Sequence, residues 1–163
     1  MQNQNFTTTL LVDQSAKEVF NAVNHVREWW SEEIEGHTNK LNEEFKYHYE
    51  DVHRCQVKIV EFVPDKKVVW LVMDNYFKFT EDESEWKGTK IFFEITPKNG
   101  KTELRFTHEG LVPQYECYEI CRDAWTTYIQ KSLYNLITTG KGMPNGKNKP
   151  QTENEKKFAS ERN

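Results

Sequence analysis

Long apolar runs are missing from this chain of 163 residues. No stretch approaches the roughly 20 apolar residues that a membrane-spanning helix needs. Basic excess is missing too: the formal charge is −4, which leaves nothing to neutralise phosphates and argues against nucleic acid as a partner. The beginning, MQNQNFTTTLLV, has no cationic region ahead of an apolar core, so it does not read as a signal peptide and the expected compartment is the cytoplasm. Cysteines are few and odd in number (Cys55, Cys117 and Cys121), which argues against a disulfide framework. Nucleophile elbow, phosphate-cradling glycine loop and dinucleotide fingerprint are all absent, and the sequence points to no cofactor.

Aromatic residues, by contrast, are plentiful at 13%, and disordered chains are poor in them, so the body must fold. Residues 5–12 read as a strand rich in Thr and aliphatics. Ser15 and Glu18 then form an S-x-x-E capping box, which opens a helix carrying Val19, Phe20 and Val23. A second short helix covers 25–30, and Gly36 and Asn39 mark the loop after it. In 43–49, Phe45, Tyr47 and Tyr49 alternate with Lys46 and His48, the signature of a half-buried strand. Strands at 53–63, 67–73, 88–97 and 101–109 follow, with Asn99-Gly100 as a hairpin signal. Residues 115–139 repeat apolar side chains at three-to-four spacing and read as one helix about 37 Å long, ending at Gly140. From 145 to 163 the chain is polar and reads as a disordered tail. The expectation is one α+β domain over 1–144: a six-stranded antiparallel sheet, two short helices after its first strand, and a long C-terminal helix.

Several segments carry a resemblance: AKEVFNAVNHVREWW (16–30), EWKGTKIFFEI (85–95), TELRFTHEGLVP (102–113) and AWTTYIQKSLYNLITTGKGMP (124–144). In order and spacing they resemble bacterial members of the activator of heat-shock protein 90 ATPase homologue-like family, within the START/SRPBCC superfamily. The resemblance implies a helix-grip fold, with a curved sheet wrapped around the long helix and a cavity between them. It also implies that many relatives bind small apolar ligands, that some are cyclases, dehydratases or hydrolases, and that no shared catalytic motif exists. The eukaryotic activators carry a further N-terminal domain, for which this chain has no room.

The candidate site is aromatic. Tyr47, Tyr49, Trp70, Phe93 and Phe106 are expected on the concave face of the sheet. Trp125 and Tyr128 face them from the helix, and Trp30 closes one end. Such a wall either receives a small hydrophobic ligand or simply fills the core. His108 shares the inward face with Leu104 and Phe106. It is either an acid–base group or ligand anchor, or a core histidine bonded to backbone or tyrosine. Glu94, Glu103 and Glu109 fall on the opposite parity, which leaves His108 no carboxylate partner, and the expectation is a domain that is not an enzyme. His53 and Cys55 share one strand face and Cys117 and Cys121 one helix face, but neither pair has zinc-finger spacing, and buried small hydrophobes are the simpler reading. The run TEDESE at 80–85 is either a solvated hairpin tip or a docking surface for a basic partner such as a chaperone.

Overall fold

In the computed structural model, which describes residues 5–49, 53–77, 86–114 and 118–144, a continuous antiparallel sheet curves around one helix. The elements are β1 (Phe6–Val12), α1 (Ala16–Asn24), α2 (Val26–Trp29), β2 (Glu35–Gly36), β3 (Glu44–Tyr49), β4 (His53–Val63), β5 (Lys67–Phe77), β6 (Lys90–Lys98), β7 (Lys101–Glu109), α3 (Tyr118–Thr127), a π-helical segment (Tyr128–Leu133) and α4 (Tyr134–Thr139). The last three form one uninterrupted helix. Strands β3 to β7 run as a meander, and β1 returns beside β7, giving the order β1-β7-β6-β5-β4-β3-β2.

The local signals act as their chemistry requires. The Ser15 hydroxyl accepts the Glu18 N–H at 3.1 Å and caps α1. Asn99 and Gly100 both take positive φ, 52° and 81°, the mirror-image turn that suits a tight hairpin. Gly140 stops α4 in the left-handed region at φ 84°. Strict alternation holds in β7, where Thr102, Leu104, Phe106 and His108 are buried between outward neighbours. The expected tail and the acidic run 80–85 lie outside the described residues.

Two features correct the sequence reading. The sheet has seven strands rather than six, because Glu35–Gly36 adds an edge strand to β3. Only glycine permits this: Gly36 sits at φ 110°, and a Cβ there would collide with the Glu44 carbonyl oxygen. The Arg27 guanidinium fastens the segment by donating to the Ile34 and Gly36 carbonyls at 2.9 and 2.7 Å. In addition, β5 runs to Phe77 rather than stopping at 73, past a β-bulge that sets Met73 as an extra residue opposite the Gln56–Val57 step of β4.

Candidate functional site

The inward faces of β3 to β7 and the facing side of the helix are built from rings. Trp30, held at the end of α2, stacks on Tyr47 at 4.2 Å between centroids and on Trp70 at 5.9 Å. Trp70 meets Phe93 edge-on at 4.7 Å, and Phe93 meets Phe106 at 5.3 Å. From the helix, Trp125 reaches Phe106 at 4.7 Å and Trp30 at 5.1 Å, with Tyr128 beside it. Tyr49 is buried on the same face of β3 as Tyr47. All these residues are at most 4% exposed. The rings expected to line the space between sheet and helix therefore also occupy it. Two clefts, of about 350 and 490 Å³, open instead on the outer face of the sheet. The first sets Lys46 and Arg54 among Glu35 and Asp74, with charges of both signs.

His108 lies at the centre of a directed polar chain. The Trp125 indole can only donate, and its Nε1–H reaches His108 Nδ1 at 3.1 Å. Nδ1 is therefore the acceptor, and the proton of the neutral ring sits on Nε2. That nitrogen donates to the Thr89 hydroxyl at 2.8 Å, and Thr89 passes its own hydrogen to the Trp86 carbonyl at 2.6 Å. Gly110 makes the approach possible: a Cβ there would lie 2.6 Å from the Thr89 methyl carbon. Burial holds the His108 imidazole well below its usual range, at about 3, and neighbouring His53 adds to the depression. Its bonded partners are thus a tryptophan and a threonine rather than backbone, tyrosine or carboxylate. Glu94 and Glu109 border a groove on the outer face, and Glu103 pairs with Lys98.

His53, half-buried, is a second polar group on the inward side. Its Nε2 lies 2.9 Å from the Asn75 side-chain oxygen, and burial lowers its pKa to about 3, with the Asn75 bond opposing the shift. The bulge in β5 decides this pairing. Plain alternation from Trp70 and Val72 would turn Asp74 and Tyr76 inward; the extra residue turns Asn75 and Phe77 inward instead. Between the two histidines stands Trp86. Its ring is perpendicular to His53, His108 and Phe77, at 4.7, 4.8 and 5.3 Å, and parallel to Trp125 at 5.6 Å. The indole N–H groups of Trp70 and Trp86 are buried and have no acceptor among the described residues.

Sequence reasoning overlooked Trp29, Phe77, Asn75, Trp86 and Thr89. Trp29 is adjacent to Trp30 and joins its stack, so a Trp-Trp pair closing a helix was the available signal. Trp86 lies in a turn, where no periodicity marks a residue as inward, whereas Thr89 shares the parity of Ile91 and Phe93 in the expected strand 88–97, a signal that was available. Burial pushes the Cys55 thiol above its ordinary range, so it stays protonated and makes a poor metal ligand. Cys121 is buried, and Cys117 lies outside the described residues. No group of three or more His, Cys, Asp or Glu suited to a metal occurs among the described residues.

Sheet, gripped helix and ring-built interior define an α+β helix-grip domain. The sequence pattern of the family described as Activator of Hsp90 ATPase homolog 1-like protein matches residues 13–138, and the chain belongs to that family. Solved structures agree on the fold. The Aha1 dimer from Colwellia psychrerythraea is similar at TM-score 0.68 and 22% identity, over 85% of this chain and 98% of that one. DynU16, from the dynemicin biosynthetic locus, matches at TM-score 0.61 and 15% identity, over 86% of this chain and 49% of its own. CalU16 from Micromonospora echinospora matches at TM-score 0.58 and 11% identity, over 83% and 77%. No curated protein matches this chain in sequence.

Proposed function

We propose that this protein is a non-catalytic binding module for a small hydrophobic or aromatic ligand, taken up between the sheet and the C-terminal helix. The observation that carries this reading is the pair of buried indole N–H groups, Trp70 and Trp86, left without acceptors inside a wall of rings. A buried donor without a partner costs about 1–3 kcal/mol. A ligand with an apolar body recovers that cost either by offering an acceptor atom to such a donor or by displacing the ring that carries it, while its buried surface contributes about 25 cal/mol per Å² before association costs. Because rings fill the interior, entry requires one of them to move. The non-catalytic part is supported by His108, both of whose nitrogens are engaged by groups that do not exchange protons at neutral pH. Titration with lipids, fatty acids and flavonoids, followed by Trp fluorescence and amide shifts, is expected to give saturable binding. A flat response across all three classes overturns the reading.

Family membership favours a second reading, a co-chaperone that stimulates a chaperone ATPase. The acidic run 80–85 is then the contact for a basic surface. Saturating protein added to the chaperone of the same organism is expected to raise its ATPase rate, and an unchanged rate removes this reading. Charge reversal at Asp82, Glu83 and Glu85 is expected to weaken the effect, less so at high salt. Both readings put the protein to work in the cytoplasm. Among the described residues no helix is long and apolar enough to cross a membrane.

A further inference from the structure

We propose that Trp86 is a built-in occupant of a ligand slot. The space between Trp125, Phe77, His53 and His108 takes an uncharged, flat aromatic molecule of about indole size, and the Trp86 side chain leaves when that molecule enters. This inference rests on the ligand-binding reading above and names the part of the interior that exchanges.

Four observations converge on this ring. First, the walls around it are those that recognise a flat aromatic: one parallel face at 5.6 Å from Trp125 and three perpendicular rings at 4.7 to 5.3 Å. Second, the fit is incomplete on the polar side. Trp29 donates its indole N–H to the Val23 carbonyl at 3.0 Å and Trp125 donates to His108 at 3.1 Å, whereas Trp86, 4% exposed, has no acceptor for its N–H among the described residues. A free aromatic, not tethered to the backbone, can turn its polar edge toward the solvent side at His53 and fill the same walls without that loss.

Third, the side chain is free to leave without dismantling its surroundings. Trp86 belongs to a turn, not to a strand or helix. Its backbone is pinned separately: the carbonyl accepts from both the Thr89 N–H at 3.0 Å and the Thr89 hydroxyl, and Gly88 N–H bonds to the Val72 carbonyl at 2.9 Å. Rotation about the Trp86 side-chain bonds breaks none of these. Fourth, the slot carries no charge and has a wet side. Both histidines stay neutral at pH 7, the β5 bulge directs Asp74 away, and His53 keeps part of its surface in solvent. A carboxylate or ammonium entering there finds no counter-charge among the described residues.

The test uses the full chain labelled with 5-fluorotryptophan. Its five tryptophans give resolvable ¹⁹F signals, and Trp86→Phe assigns the relevant one. Indole is the probe, with indole-3-acetate as its charged counterpart. The expected result is that indole moves the Trp86 signal toward the solvent-exposed position. Trp86→Ala is expected to bind indole about tenfold or more tightly than the parent, because the competing occupant is gone. Indole-3-acetate is expected to bind Trp86→Ala at least about tenfold more weakly than indole. Saturation with indole while the Trp86 signal stays in place overturns the inference and leaves the broader ligand reading standing. Equal affinity for indole-3-acetate overturns the uncharged class. No indole binding by the parent overturns the displacement whatever the variant does. The broader reading is judged separately by the lipid, fatty-acid and flavonoid titrations. If Trp86→Ala fails to fold by far-ultraviolet circular dichroism, the parent's ¹⁹F response decides.

Discussion

A threonine hydroxyl has one hydrogen to give, and at Thr89 it goes to the Trp86 carbonyl, leaving the oxygen's lone pairs for His108. Thr89→Val removes that acceptor and is expected to cost about 1–3 kcal/mol in urea unfolding. His108→Ala strands the Trp125 N–H and also opens a gap among rings, so the expected cost is higher, about 2–5 kcal/mol. The double variant should lose less than the sum, because the two residues share one bond. The same histidine makes stability depend on pH. Its folded pKa of about 3 lies below the ordinary 6.5. Below pH 6.5 the unfolded chain therefore binds a proton that the folded chain refuses. Stability is complete above about pH 6.5 and falls toward pH 3, by up to about 1.4 kcal/mol per pH unit for His108. Partly exposed His53 adds a smaller share. Urea midpoints between pH 4 and 8 check this, and a flat profile in that range excludes a buried neutral imidazole. The inward position of His108 is legible in the strict alternation of 101–109. Its partners are not, because strand and helix periods turn Thr89 and Trp125 inward without saying which inward residue each one meets.

At the scale of elements, strand pattern and helix stops are readable and exceptions to regular pairing are not. Residues 43–49, 53–59 and 101–109 alternate as half-buried strands must, and their burial follows, whereas a register shift between Ile59 and Glu61 ends that alternation in the rest of β4. Asp74 and Asn75 look like turn residues, yet they continue β5, because a bulge lets the strand keep its ladder while the inward face shifts by one. The short strand Glu35–Gly36 escapes notice for a related reason: two residues show no period, and only the close approach at Gly36 reveals the pairing. Gly36→Ala places a methyl group against the Glu44 carbonyl oxygen and strains φ. The expected outcome is loss of amide protection at Glu35, Gly36 and the adjoining edge of β3, with the centre of the sheet unaffected. Hydrogen exchange measures it, and unchanged protection refutes the role given to this glycine. The π-helical segment Tyr128–Leu133 likewise has no sequence signal, though it brings Ser132 to the Trp29 carbonyl at 2.7 Å and to the Met143 N–H at 2.8 Å.

For the whole molecule, the order of strand, two helices, meander and long helix is legible because each element announces its own period. How tightly the sheet closes is not, since curvature is set by bulges and by ring-on-ring packing summed over many contacts. That closure joins residues from Phe6 to Ile137 into one hydrophobic core. A single core predicts a single transition: urea curves followed by Trp fluorescence and by far-ultraviolet circular dichroism should superimpose, and separated midpoints would show that sheet and helix unfold independently. The chain from Trp125 through His108 to Thr89 adds something of practical use. The proton on His108 Nε2 is sealed from water in a ring whose tautomer is fixed, so it exchanges slowly and should give an isolated proton resonance downfield of the amides. The protein thus carries its own unlabelled indicator of whether water reaches its interior. Watching that one line during a titration separates a partner that merely docks outside from one that opens the grip.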